Sequence, residues 1–381
     1  MALSILPHLM TVSAKKNHAE NTIVILTATS GDTGKAAMAG FADVEGTRII
    51  VFYPKDGVSR VQELQMLTQK ANTSVVGISG NFDDAQSGVK KIFGDKEFAK
   101  ELAGRGYQLS SANSINIGRL VPQVVYYVYA YANLVKNGEI ADGEKINVTV
   151  PTGNFGNILA AYFAKQMGVP IDKLICASND NKVLYDFFKT GVYDKNRPFI
   201  LTSSPSMDIL ISSNLERLIY LSTGCDAEET KKRMEELSKD GKYSVTGEMR
   251  ARMADFVGGY ADQAANAAEI KRLYDETGYM IDTHTGVASC VYHNYVKETG
   301  DTKKTVIAST ASPYKFSRSV MEAIFGSEEG KGEFELIDEM EKASGVKIPQ
   351  AIEEIRDAKI LHNRQCKPEE MEETVKQTFS K

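Results

Sequence analysis

No two of the four cysteines, Cys176, Cys225, Cys290 and Cys366, form a C-x-x-C pair. That spacing argues against a zinc site or any other metal centre, and reduced thiols in the cytoplasm are the expected state. Long apolar runs are missing as well: none approaches the roughly 18 residues that a membrane span needs. Basic runs are absent, and 45 Lys+Arg against 50 Asp+Glu leave a net charge of −5, which offers no footprint for nucleic acid. Any phosphate binding must therefore be local. The opening MALSILPHLMTVSAKK lacks a small-residue cleavage site, and its charges follow the apolar stretch, so it does not read as a secretory signal. The chain shows neither an internal repeat nor a low-complexity tract.

What is present is an alternation. Short β-branched runs, TIVILT (22–27), RIIVFYP (48–54), TSVVGIS (73–79), KINVTVP (145–151), KLICAS (173–178) and KTVIAS (304–309), are separated by helical patterns. Strands that read as continuous apolar runs imply parallel sheets covered on both faces, so the expected class is α/β. MALSILPHLM, with apolar residues every three or four positions, reads as an amphipathic helix. The middle, roughly 182–278, reads as helical with few strand signals, and the charged stretch from 328 onward reads as a helical C-terminal extension.

The stretch TATSGDTGKAA (27–37) looks at first like a nucleotide loop, but the spacing G-x-x-x-x-G-K-[ST] fails at Thr29 and at Ala36. Two more loops likewise follow a strand and open a helix: SSANSINIGR (110–119) and PTGNFGN (151–157). Ligands of open α/β sheets bind beyond the carboxyl ends of strands, so three such loops point to one composite site. PTGNFGN suits a phosphate best, because Gly153 and Gly156 let the backbone approach and the following helix directs free N–H groups at an anion. Taken alone, a tight turn that merely needs glycine is an equally good reading. SSANSINIGR offers Ser111, Asn113, Ser114 and Asn116 as neutral hydrogen-bonding groups and Arg119 as an anion clamp, unless it is simply a capped helix start with a solvent arginine. In IASTASPYKF (307–316) the hydroxyls Ser309, Thr310 and Ser312 follow a strand and Lys315 stands three residues later. His284, in DTHTG, has polar neighbours that suggest a place near the site, although a surface loop is the more ordinary position for it.

Together, in this order and at these separations, TATSGDTG, SSANSINIGR, TGNFGN and TASPYKF resemble threonine synthase, over residues 1 to about 325. The resemblance implies pyridoxal-phosphate (PLP) fold type II, like tryptophan synthase β, with two parallel-sheet α/β domains and the site between them. It places a smaller domain at 1–112, a larger cofactor-binding domain at 113–327 and the extension at 328–381. The implied reaction converts O-phospho-L-homoserine and water to L-threonine and phosphate, the cofactor serving as electron sink. Carried over position by position, Gly153, Asn154, Phe155, Gly156 and Asn157 would cradle the cofactor phosphate, Thr310 would face the pyridine nitrogen and Asp32 would lie near the 3′-oxygen. Ser30, Gly31 and Thr33 would meet the substrate carboxylate. Ser111, Asn113, Asn116 and Arg119 would meet its phosphate, with Lys315 as a weaker candidate and His284 nearby. Ser312 stands where the family has His.

In the family, the Schiff-base lysine lies in a segment resembling H-G-P-T-x-A-F-K-D, directly before the helix that MALSILPHLM matches. The resemblance therefore implies that this lysine falls upstream of Met1 and that the chain by itself is an inactive, truncated form. Two alternatives stand beside the threonine synthase reading. One is another fold-type-II enzyme such as a serine or threonine dehydratase or a cysteine synthase; the other is a non-catalytic ligand-binding protein. The expected partner in solution is a small molecule, and the expected assembly a monomer or homodimer.

Overall fold

The computed structural model describes residues 2–29, 31–69 and 72–379. The chain divides into two compact units, Met1–Pro122 with Lys347–Lys381, and Gln123–Val346.

The first unit is built on a five-stranded sheet of β1 (Thr22–Ala28), β2 (Thr47–Pro54), β3 (Thr73–Ile78), β4 (Tyr107–Ser111) and, far along the chain, β11 (Arg364–Cys366), in the order β11-β3-β2-β1-β4. All four pairings are parallel. Both faces are buried, which is why the strands show no polar alternation. Ile23, Ile25, Ile49, Val51 and Val75 pack in one cluster with Leu3 and Leu6 of the helix Ala2–Lys16 and Met38 and Phe41 of the helix Asp32–Phe41. The alternate positions Val24, Leu26, Ile50, Phe52 and Val76 are also buried, and the helix Phe82–Gly94 packs on β1 and β2. Each such side chain contributes about 1.5–3 kcal/mol by leaving water.

The second unit carries β5 (Ile146–Pro151), β6 (Ile171–Ser178), β9 (Phe256–Tyr260) and β10 (Thr305–Ile307) as a parallel sheet ordered β10-β5-β6-β9, and an antiparallel ribbon of β7 (Val192–Asp194) and β8 (Lys242–Ser244). Ile175, Ala177, Val287, Ala288 and Val291 form a buried cluster where the helix Thr283–Thr299 meets the sheet.

Three features differ from the sequence reading. The middle of the chain contains β7, β8 and β9, and β9 is a full member of the sheet. Its sequence, FVGGY, carries two glycines that weaken a strand pattern, yet the glycines answer to packing: a Cβ on Gly259 would lie 2.4 Å from Val291 Cγ1, and one on Gly258 3.1 Å from Phe188 Cβ. The pattern IGRLVPQVVYYVYAYANLV is not one helix but a short helix Ile117–Leu120, a 3-10 turn Val121–Gln123 and the helix Val124–Lys136, broken where Pro122 has no N–H to give. The charged C-terminal stretch is shared: the helix Glu333–Ser344 lies in the second unit, and residues 347–381 belong to the first, with β11 paired to β3.

Candidate cofactor site

The loop after β5 has the geometry of an anion cradle. Thr152 turns its hydroxyl back to the carbonyl of Val150 at 2.7 Å, and the chain then enters the helix Gly156–Gln166 through Phe155. Phe155 sits at φ 63°, ψ 2°, a left-handed conformation that costs a non-glycine residue about 1–2 kcal/mol, and it supplies no side-chain cap. Burial of its ring against Phe256 and Phe188, with centroids 5.6 and 6.0 Å away, offsets that strain. The first helical bond runs from Leu159 N to Phe155 O at 3.1 Å, so the N–H groups of Gly156, Asn157 and Ile158 belong to the turn that has no acceptor within the helix.

The loop is clamped from behind. Ser212 Oγ donates to Gly153 O at 2.7 Å, and Asn214 donates to Asn154 O through its backbone N (3.1 Å) and Nδ2 (2.9 Å). Ser213 Oγ donates to Asn154 Oδ1 at 3.3 Å. Asn157 accepts from the Tyr127 phenol and donates to Gln123 Oε1 at 3.2 Å; burial pushes the Tyr127 phenol far up, so it stays a donor. A Cβ on Gly153 would stand 2.4 Å from Ser206 O, so only glycine fits there. An uncapped helix start behind a glycine that admits no side chain fits a phosphate dianion, and the residues present are compatible with the cofactor phosphate.

On the strand next to β5, at the same carboxyl end of the sheet, β10 delivers Ser309 and Thr310, both exposed, with Ser309 Oγ 3.2 Å from Thr285 Oγ1. Lys315 lies partly buried in the 3-10 turn Pro313–Phe316. His284 is not a surface-loop residue: it is 2% exposed in the first turn of the helix Thr283–Thr299, its ring 4.9 Å from that of Phe316. Its Nδ1 meets Asp282 Oδ1 at 3.0 Å and its Nε2 accepts the N–H of Ser206 at 3.2 Å. Burial alone would raise the Asp282 carboxyl, but hydrogen bonds from His284 and Thr285 outweigh it and hold it below the usual carboxylate range.

In the first unit, Thr29 Oγ1 accepts from Gly31 N (2.9 Å) and Gly34 N (2.8 Å), tightening the turn into the helix Asp32–Phe41. Gly31 stands at φ 123°, and Asp32 Oδ1 accepts from Gln62 Nε2 at 3.0 Å. Asn113 acts as an extra rung between β1 and β4, its Nδ2 donating to Ala28 O (2.8 Å) and its Oδ1 accepting from Ala28 N (3.3 Å). Ser111 Oγ accepts from Asn113 N at 3.1 Å, and Asn116 bonds Ser111 O at 2.8 Å while capping the short helix through Gly118 N. Arg119 reaches Ala112 O (3.0 Å) and Thr33 Oγ1 (3.1 Å), which joins the SSANSINIGR and TSGDTG loops. Ser30 lies outside the described residues. Lys35 Nζ donates to Gln69 Oε1 at 2.7 Å.

Several framework residues went unread in the sequence. Asn179 and Asn181, just after β6, donate to Asp208 Oδ1 at 2.7 and 3.0 Å, and Thr202 N donates to Asp208 Oδ2 at 2.9 Å, pinning the segment that carries Ser206. The signal was present: NDN follows KLICAS just as the other polar loops follow their strands.

Comparison with known proteins agrees with this geometry. The family model described as "Pyridoxal-phosphate dependent enzyme" matches residues 3–311, so the chain is a PLP-dependent enzyme by family. It is 40% identical over 335 residues to human threonine synthase-like 1, covering 85% of this chain and 44% of that protein. It is 36% identical over 358 residues to threonine synthase of Saccharomyces cerevisiae, covering 90% of this chain and 68% of the yeast protein. The structure of PLP-bound threonine synthase from Brucella melitensis superposes with a TM-score of 0.82 at 33% identity, over 100% of this chain and 75% of that one. Within the PLP-dependent enzymes the chain belongs to the threonine synthase family. It spans less than half the length of the human relative.

Proposed function

We propose that the protein carries out the threonine synthase reaction, forming L-threonine and phosphate from O-phospho-L-homoserine and water in the cytoplasm. The observation that carries this reading is the Gly153–Asn157 loop, an uncapped helix start with a strained, buried Phe155 at its head. Bound there, the cofactor would supply an electron sink for the carbon centres that lose protons. The chain's own groups bind and orient. The N–H groups of the first turn would hold the cofactor phosphate, and the Thr310 hydroxyl, a neutral group, would serve the ring nitrogen. Asp32, fixed by Gln62 Nε2 at 3.0 Å, serves the 3′-oxygen side. Gly31 and Thr33 would meet the substrate carboxylate. Ser111, Asn113, Asn116 and Arg119 shape the region for the substrate phosphate, with Lys315 an additional cation.

The hydrogen bonds of the first unit assign these last residues a particular manner of acting. Asn113 and Asn116 spend their amides on the backbone of Ala28, Ser111 and Gly118, so their contribution is to loop shape. Arg119 retains a charge on a guanidinium anchored by two protein acceptors, and an anion near it would be bound by a preset group rather than a mobile one.

The test assays the whole product of the gene with PLP and O-phospho-L-homoserine, following phosphate and L-threonine together. Equal amounts of the two products are expected. Keto acid from L-serine or L-threonine with phosphohomoserine untouched would instead mark a dehydratase, and PLP binding without turnover of any of these would mark a ligand-binding protein.

A further inference from the structure

One buried carboxylate links the two regions assigned to the cofactor. Asp282 is completely buried at the N-cap of the helix Thr283–Thr299. Its Oδ1 accepts from His284 N (2.8 Å), Thr285 N (3.4 Å) and His284 Nδ1 (3.0 Å), and its Oδ2 takes the hydroxyl hydrogen of Thr285. An ordinary cap needs only the backbone bonds; the side-chain bonds lead elsewhere. Because a carboxylate can only accept, the hydrogen of the imidazole is on Nδ1 and the Nε2 lone pair is what receives Ser206 N–H at 3.2 Å. Ser206 then presents its carbonyl to Gly153, so close that a Cβ there would be 2.4 Å away. Thr285 Oγ1 is also the donor to Ser309 Oγ at 3.2 Å, so its one hydrogen is shared between Asp282 and the hydroxyl next to Thr310.

We infer that Asp282 is a positioning residue that holds both ends of the cofactor site in register, the phosphate loop through His284 and Ser206, and the ring end through Thr285 and Ser309. The inference rests on the PLP reading of the Gly153–Asn157 loop. Asp208 anchors the same Ser206 segment from the other side, through Asn179, Asn181 and Thr202, so the His284 bond fixes a short span already tethered at one end. That leaves the placement of the Ser206 carbonyl dependent on the imidazole.

Three substitutions separate positioning from capping. Asp282→Asn keeps a good N-cap residue but removes the charge and replaces one acceptor oxygen by a donor, so either the bond with Thr285 reverses or an acceptor for His284 is lost. His284→Leu removes the acceptor for Ser206 N–H, and His284→Gln restores one at similar reach. The measurement is a titration of the protein with PLP and, separately, with pyridoxal, which lacks the phosphate, alongside a thermal melt. His284→Leu is expected to lower PLP affinity by about tenfold, the lower end of what losing an outer partner of a ligating group costs, with pyridoxal affinity nearly unchanged. His284→Gln should recover most of the loss. Asp282→Asn should weaken both ligands while its melting temperature stays near that of the unsubstituted protein. Undiminished PLP binding in His284→Leu, or equal loss of both ligands in step with a collapsed melt, overturns the inference. If the unsubstituted protein binds pyridoxal as tightly as PLP, the cofactor-phosphate reading fails first and this inference with it.

Discussion

Gly153 and Gly31 are both irreplaceable, for different physical reasons that predict different losses. At Gly153 the obstacle to a side chain is a backbone carbonyl, Ser206 O at 2.4 Å, which cannot swing aside. Gly153→Ala should therefore cost about 1–3 kcal/mol of stability by overpacking and weaken PLP binding by displacing the cradle. At Gly31 the backbone itself objects, with φ at 123°, and a Cβ would also lie 2.4 Å from Gln62 Cδ. Gln62 cannot yield freely, since it closes a capping box with Ser59 and holds Asp32. Gly31→Ala should cost about 1–3 kcal/mol through backbone strain, yet leave affinity for PLP close to normal. Urea melts and PLP titrations of the two variants check this; equal loss of PLP binding in both would show that the two loops do not divide substrate and cofactor phosphate as proposed. Glycine at each place could be read from the sequence as a turn or loop. Which neighbour makes it obligatory could not, because Ser206 and Gln62 are distant in sequence.

The turn from the helix Thr283–Thr299 into β10 hangs on Asp301, which gathers Asn147 Nδ2 (3.0 Å), Tyr295 Oη (2.8 Å), Lys303 N (3.1 Å) and Lys303 Nζ (3.2 Å). Burial acts to raise this carboxyl, but these donors, Asn147 foremost, outweigh it and hold it well below the usual range. A carboxyl depressed in the folded state stabilises above its unfolded pKa of about 4, and that contribution is lost as pH falls toward the folded value. Asp301→Asn should thus cost about 2 kcal/mol at neutral pH, since an amide turns a donor toward Asn147 and carries no charge. Urea unfolding at pH 7, 5 and 3 should show the gap between the two proteins narrowing below pH ~4; a gap independent of pH would refute the assigned role. Strands such as β1, β2 and β5 were legible because a buried parallel strand is a run of Ile and Val bounded by polar loops. β9 was not, because its Gly258 and Gly259 record the approach of Phe188 and Val291, which local composition cannot report. For His284 the sequence left a surface loop open beside a place near the site, because composition does not show that its polar neighbours Asp282 and Thr285 bond to one another inside the protein rather than to water.

The longest-range feature was the least legible. Read locally, residues 328–381 are a charged tail, yet 347–381 return to the first unit, where β11 pairs with β3, Arg364 opposite Val76. A three-residue strand of sequence RQC carries no periodicity from which such a pairing could be inferred. The segment is nonetheless knitted in: Gln65 Nε2 donates to Ala351 O (3.1 Å), Leu361 N to Leu67 O (2.8 Å), and His362 Nε2 meets Gln69 O (2.8 Å). Met371 and Val375 are fully buried, and the Phe379 ring packs tilted against Tyr107, centroids 4.5 Å apart. Ending the chain after Val346 would remove these three side chains, each contributing about 1.5–3 kcal/mol, and leave the β3 edge unpaired. The sum approaches the 5–15 kcal/mol that typically separates a folded domain from its unfolded chain. The shortened protein should therefore lose hydrogen-exchange protection in β1, β2 and β3 and associate through the exposed edge. Amides of β5 and β6, whose ladder partners all lie within 123–346, should keep theirs. Native protection of β3 in the shortened chain would mean that residues 347–381 decorate the first unit instead of completing it.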